Sequence, residues 1–425
     1  MVNQAMPNDL DRVPAVAAFI AHEDKVLVVR RADNIPSYPG KWSGVNSLLQ
    51  HVPLKQAYLQ IAEELGMGTE RIRLVGIGAP VRVDDSEHDW DWLVFPYLFE
   101  LKSGSEVRLN WKATEREWIA PDEIGRLDTV PGLADVLASV WPGFGTPGLW
   151  GAARQLSADR TNGSTDIACQ ALAAVERFRS AGPAPDLPRA ARALSSLRPS
   201  MGIIPHAMTL VVGGADATKL QQDIQDAGQL AAQTAAEALS GIKSILTHSH
   251  SGVCEATLRA WAERGGEEVI CTESRPKCEG VVLAKRLAGT GLSVRVITDA
   301  QMGLAARQVD ALLLGSDAIT GDGYLVNKAG TELAAIAAEA AGKRVCVVCQ
   351  THKIAPPGWP IALEHQDPKD VLDARHIRAQ NVIFDAVSID RLQAVITERG
   401  PLTDDLLREV NGELAASPLL HLGSS

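Results

Sequence analysis

The sequence predicts an α+β unit over residues 1–145, a helical segment over 146–240 and a doubly wound, parallel α/β unit over 241–425. Three observations lead there. The chain has 425 residues, too many for one ordinary core, and 46% of them are hydrophobic, enough to pack more than one. Its first third mixes short strand patterns with one amphipathic helix pattern. After Ser240, apolar strands alternate with helices, the rhythm of a parallel sheet.

In the first region, segments 16–20 and 25–29 flank His22-Glu23-Asp24, a hairpin signal. Leu54, Ala57, Tyr58, Ile61 and Leu65 recur at helical spacing, so 53–65 reads as a helix. Segments 74–77 and 92–101 read as strands, and the Pro- and Gly-rich stretch 141–148 as a linker. The middle segment carries helices over 166–179 and 217–239. Beyond it, strands are expected at 244–247, 268–271, 293–297, 311–314 and 344–349, with helices through 256–264, 281–287 and 331–341. Ligands of such sheets sit at the carboxyl ends of the strands. The polar residues there are therefore the candidates: 247–251, 272–275, 298–299 and 315–317.

Charge and cysteine content narrow the function. A net charge of −11 opposes broad binding to nucleic acid. No charged-then-apolar leader and no 18-residue apolar run occur, so a cytoplasmic protein away from membranes is expected. The six cysteines read as thiols, with Cys346 and Cys349 facing opposite sides of a buried strand.

Arg160, Arg198, Arg275 and Lys328 are cations in loops among Gly and Ser, which suits phosphate oxygens. Gly163 and Gly202 would admit a close ligand approach. Asp317 follows the apolar run 312–314 as an acid at a strand end. Seven segments then stand in a fixed order: 159–165 (DRTNGST), 197–202 (LRPSMG), 245–252 (ILTHSHSG), 272–280 (TESRPKCEG), 296–299 (VITD), 314–320 (LGSDAIT) and 326–331 (VNKAGT). This series resembles the superfamily of ribose-1,5-bisphosphate isomerase, methylthioribose-1-phosphate isomerase and the alpha, beta and delta subunits of initiation factor 2B. The resemblance covers roughly residues 150–405.

That resemblance implies a Rossmann-like sheet, a homo-oligomer, a phosphorylated pentose as ligand, aldose–ketose isomerisation and no cofactor at this site. Asp317 matches the family's catalytic Asp, and Ser249 occupies the position of its catalytic Cys. His248, His250, Ser251, Asn327 and Lys328 join Arg160, Gly163, Arg198 and Arg275 as substrate-binding candidates. A hydroxyl is a far poorer acid than a thiol. A sensor that binds phosphorylated metabolites without turnover is therefore the competing expectation.

In the first third, segments 40–46 (GKWSGVN), 59–67 (LQIAEELGM), 109–111 (LNW) and 117–124 (EWIAPDEI) resemble a Nudix hydrolase, and especially the second half of its box. The resemblance implies a nucleotide ligand and magnesium held by Glu63 and Glu64. The box's Arg-Glu pair is Leu59-Gln60 here, and its upstream Glu falls on His51. Gln supplies no charge to a cation, so weakened or absent diphosphate hydrolysis is expected. A diphosphohydrolase with the remainder as scaffold is the third alternative.

Overall fold

The computed structural model describes residues 13–415 and 419, apart from 79, 87, 89, 103, 105, 142–148, 181–185, 365, 367, 373, 375, 376 and 378. All but Trp141 of the expected linker lies outside the described residues. The chain divides into two compact units, one of Met1–Asp159 with Phe178–Leu197, the other of Arg160–Arg177 with Arg198–Ser425.

The first unit holds β1 (Val13–His22), β2 (Lys25–Arg31), β3 (Trp42–Ser43), β4 (Val45–Leu48), α1 (Pro53–Leu65), β5 (Ile72–Ile77), β6 (Val81–Asp85), β7 (Trp90–Leu101), β8 (Ala113–Ile119), α2 (Leu133–Val140) and α3 (Leu149–Ala158). The expected hairpin forms, with Ile20 opposite Leu27 and His22 opposite Lys25. β1 also runs parallel to β7, and it is buried on both faces. Val16, Ala18 and Ile20 meet Ala57, Ile61 and Leu65 of α1, while Ala17, Phe19 and Ala21 meet Leu133, Val136, Leu137 and Val140 of α2. This period-two division explains why the strand reads as a continuous apolar run. Helix α1 opens on Pro53, whose missing N–H costs nothing there, and closes on Gly66 in the left-handed region.

Next come α4 (Ser164–Ser180), α5 (Leu187–Ser195), α6 (Ile203–Val212) and α7 (Ala217–Ala238). The second unit's main sheet uses β9 (Ser244–Thr247), β10 (Glu268–Thr272), β11 (Ser293–Ile297), β12 (Ala311–Leu314), β15 (Arg344–Val348), β17 (Ala394–Thr397) and β18 (Gly400–Pro401). Their order is β11-β10-β9-β12-β15-β17-β18, and all neighbours are parallel except β17 and β18. The order reverses between β9 and β12, so the ligand crevice of a doubly wound sheet opens there. Helices α8 (Gly252–Ala262), α9 (Glu279–Leu287), α10 (Met302–Ala306), α11 (Thr331–Ala340) and α12 (Asp404–Ala415) complete the unit.

Both faces of this sheet are buried. Leu246, Ile270, Leu312 and Val345 pack on one side, and Ile245, Val269, Leu313 and Cys346 on the other. Cys349 lies with the first group, so the two cysteines do face opposite sides. The described cysteines are free thiols. A small antiparallel sheet of β13 (Ala318–Ile319), β14 (Tyr324–Lys328) and β16 (Phe384–Ser388) was not anticipated. Its strands are too short for periodicity to show, and β16 comes from 56 residues beyond β14 (Lys328 to Phe384). Among the described residues no helix is long and apolar enough to cross a membrane.

Candidate functional site

The site is built at the carboxyl ends of β9, β10 and β12. After Thr247 the chain turns sharply, and Ser249 takes a left-handed conformation at φ 69°. Its N–H donates to Ser274 Oγ at 2.8 Å. His248 is buried, with Nδ1 2.7 Å from Thr272 Oγ1 and Nε2 2.9 Å from the Ala329 carbonyl. A carbonyl only accepts, so the Nε2 proton is fixed and Nδ1 receives the Thr272 hydroxyl. Burial pushes the His248 pKa down, which keeps the ring neutral. His248 is therefore a splint between strand-end loops rather than a proton carrier. Gly330 faces it at φ 108°, where an added Cβ would lie 2.8 Å from Nε2.

The opposite wall follows β12. Asp317 donates its N–H to Val326 O at 2.9 Å, and its carbonyl accepts from Gly202 N at 3.0 Å. Its half-buried carboxylate has no hydrogen bond or ion pair among the described residues. A Cβ on Gly315 would sit 2.9 Å from Ser251 Cβ, so the two turns touch across the switch point. One on Gly202 would sit 2.6 Å from Lys353 O. Gly202 thus serves close backbone packing rather than ligand approach.

Two of the four candidate cations, Arg198 and Lys328, are held by counter-charges. Arg198 is 4% exposed, and its Nε meets both oxygens of buried Glu364 at 3.0 and 3.2 Å. Lys328 is 6% exposed and reaches Glu279 at 2.6 Å. Asn327 donates to Thr331 Oγ1 at 3.0 Å. Arg275 is exposed, and its N–H and that of Ser274 both bind Asp299 at 2.8 Å. Arg160 and Gly163 lie in an exposed turn before α4. Thr165, two residues on from Gly163, bonds Gln350 just after β15 at 3.3 Å. His250 departs from the group, bonding Glu255 of α8 at 3.0 Å in a cluster with Arg259 and Arg286.

The structure thus brings His248, Ser249, Ser251, Asp317, Asn327 and Lys328 to one end of the sheet. Glu279, Glu364, Lys353 and Asp385 escaped the sequence reading, because a counter-charge distant in sequence has no spacing signal. Four polar atoms here are buried without a partner: Thr247 Oγ1, Ser316 Oγ, Glu279 Oε2 and Asp385 Oδ1. Each such atom costs about 1–3 kcal/mol, a deficit that a polar ligand would offset. Burial also raises the Asp385 pKa to about 6, against the N–H groups of Gly330 and Glu332 that favour its ionised form.

Glu63 and Glu64 stand at the end of α1. Lys112 lies 2.8 Å from Glu63 and 3.8 Å from Glu64, and Gln60 donates to Glu64 at 2.6 Å. Burial pushes the Glu64 pKa up, although Gln60 and Lys112 work the other way. A shared ammonium and a neutral neighbour do not fit a divalent cation, which needs uncompensated carboxylates. No group of three metal-type side chains occurs among the described residues. Of the acidic residues over 84–91, which the sequence offers as substitute carboxylates, Asp85 is buried and bonded to Tyr38 Oη and His88 Nδ1, Asp91 is paired with Arg82, and Glu87 and Asp89 lie outside the described residues.

Comparison with known proteins agrees with the second unit's architecture. The model of the initiation factor 2 subunit family matches residues 213–404. A ribose 1,5-bisphosphate isomerase of Haloterrigena turkmenica is 30% identical over 294 residues, 60% of this chain and 90% of that protein. A putative eIF-2B subunit 2-like protein of Pyrococcus horikoshii is 39% identical over 159 residues, 37% of this chain and 56% of that one. The crystal structure of a Pyrococcus horikoshii translation initiation factor eIF-2B superposes with a TM-score of 0.56 at 27% identity, covering 62% of this chain and 99% of that one. With a relative at this identity matched over nearly its whole length, the chain belongs to the initiation factor 2B family.

Proposed function

We propose that the second unit binds a phosphorylated pentose at the β9–β12 crevice and interconverts its aldose and ketose forms, with ribose 1,5-bisphosphate as the substrate class. The observation that carries this reading is the carboxylate of Asp317 at the switch point, unpartnered among the described residues, next to Ser316, whose buried hydroxyl also lacks a partner. A relative named for that isomerisation, matched over 90% of its length, supports it. In this reading Asp317 moves the proton between C1 and C2, and Ser249 offers its hydroxyl to a substrate oxygen. Locked His248 holds the walls. Arg198 and Lys328 take phosphate by exchanging it for Glu364 and Glu279. Family likeness extends the reading to a cytoplasmic homo-oligomer. Calorimetric titration with ribose 1,5-bisphosphate tests it: Asp317→Asn should spare binding and abolish turnover, and no binding by the wild type refutes it.

One observation favours a sensor instead. A serine replaces the thiol, and the two buried cations proposed for phosphate, Arg198 and Lys328, are already neutralised. Tight binding with no turnover, even in Ser249→Cys, would select that reading. We read the first unit as a Nudix-like domain whose metal site has been lost to Lys112, leaving a nucleotide-binding role. Rapid magnesium-dependent hydrolysis of nucleoside diphosphate derivatives by the wild type would oppose it.

A further inference from the structure

The second unit has a cavity of about 410 Å³, within the range of small-ligand pockets, whose lining includes none of the crevice residues named above. Sequence spacing builds its longest wall. Asp223, Asp226, Ala227 and Leu230 stand at i, i+3, i+4 and i+7 of α7, so they share one helix face. Helix α12 adds Val410 and Glu413, three residues apart. Helix α6 adds His206, and the turns after β15 and β17 add His352, Glu398 and Arg399. The lining is acidic, with four carboxylates against one guanidinium. That guanidinium, Arg399, is shared by Glu413 and Glu409. Asp223 has no hydrogen bond or ion pair among the described residues.

The two imidazoles point to a ligand independently of the carboxylates. His206 is 4% exposed, and its Nδ1 lies 2.8 Å from the Ile354 carbonyl. A carbonyl only accepts, so Nδ1 carries the proton and Nε2 a lone pair. No described residue bonds that Nε2. Burial, with His352 beside it, holds the His206 pKa down to about 3, so the ring stays neutral. The His352 ring centroid is 5.3 Å away, and its Nδ1 is buried without a partner. Buried polar atoms in this state are costly, and a ligand that bonds them relieves the cost.

The chemistry narrows the ligand. A phosphate or carboxylate would face four like charges. A compact divalent ion needs converging ligands, and no three metal-type side chains converge among the described residues. Carboxylates drawn from three separate elements, together with the apolar side chains of Ala227, Leu230 and Val410, suit two ammonium groups joined by methylenes. We propose that this cavity is a second ligand site, for a small aliphatic diamine in its doubly protonated form. One ammonium meets Asp223 and Asp226, the other meets Glu398 and Glu413, and His206 Nε2 accepts from one of them. The site is independent of the isomerase reading.

The test is calorimetric titration of the full chain with 1,4-diaminobutane at low ionic strength, beside butylamine and 1,4-butanediol. Saturable binding of one diamine per chain is expected, at least about tenfold tighter than butylamine because the second charge adds its own contact, and the diol should not bind. Asp223→Asn should weaken the diamine at least about fivefold. Ala227→Leu, which narrows the cavity without changing charge, should weaken it as much. Asp405→Asn makes the same charge change at an exposed pair with Arg408 outside the cavity and should stay within about twofold of wild type. Absence of saturable binding at millimolar diamine overturns the proposal. Equal weakening by Asp223→Asn and Asp405→Asn also overturns it, as the mark of diffuse attraction to an acidic chain, and so does wild-type affinity in Ala227→Leu.

Discussion

Glu364→Gln should destabilise the second unit and make it depend on its ligand. Arg198 and Glu364 are both less than 10% exposed and joined by two hydrogen bonds, at 3.0 and 3.2 Å. Gln nearly preserves the shape, so packing changes little and the loss is electrostatic. Removing one partner of a buried pair costs about 3–5 kcal/mol because a buried charge is left uncompensated. Arg198 keeps other contacts, which places the expectation at the lower end, about 3 kcal/mol. For a unit of this size that is a fall in Tm of about 6–12 °C. If Arg198 takes the ligand's phosphate, ribose 1,5-bisphosphate should raise the mutant's Tm by more than the wild type's, because the phosphate supplies the missing charge. Scanning calorimetry with and without the bisphosphate reads both effects. A fall below about 2 °C would refute the energetic argument, being less than 1 kcal/mol. Equal ligand shifts in the two proteins would remove Arg198 from the phosphate site.

Gly280→Ala would place a Cβ 1.8 Å from the Thr272 carbonyl, so α9 must move and carry Glu279 away from Lys328; a urea midpoint unchanged from wild type would contradict this. Asp385 has a folded pKa raised to about 6 against an ordinary 3.8, so its stabilising contribution is full below pH 3.8 and is lost as pH rises through 6. Asp385→Asn should flatten the stability profile between about pH 4 and 6 relative to wild type, and an identical slope would count against the shift. Magnesium should leave the first unit's melting unchanged, whereas Lys112→Met, which uncovers Glu63 and Glu64, should make it magnesium-responsive; thermal scans at several magnesium concentrations check both.

Much of the fold could be read from local pattern. The limits Pro53–Leu65 of α1 carry a start and a stop signal, Pro and Gly66, on top of helical periodicity. Strands 244–247 and 311–314 are short runs that are mostly apolar and mostly buried, and the edge strand 293–297 alternates in β-branched residues, so all three were legible to the residue. The β13–β14–β16 sheet was not, because its pairing depends on distant segments rather than on period. Within the site, residue types were legible and their states were not. Arg198 reads as a cation in a Gly- and Ser-rich loop, but its buried partner Glu364, 166 residues away, leaves no signal in the spacing. His248 reads as a substrate-binding candidate, and only the structure shows both of its ring nitrogens engaged by Thr272 and Ala329. Lys353 lies in no recurring motif, and only its burial beside the turn of Asp317 marks it.

In the proposed reaction Asp317 works as a base on a pentose bisphosphate. The most direct measurement follows ribose 1,5-bisphosphate by phosphorus and carbon NMR in the presence of wild type, Asp317→Asn and Ser249→Cys. The ketose should appear slowly with wild type, faster with Ser249→Cys because a thiol is the better acid, and not at all with Asp317→Asn, which still binds the sugar. Ketose formation that continues in Asp317→Asn at the wild-type rate would contradict this role of Asp317.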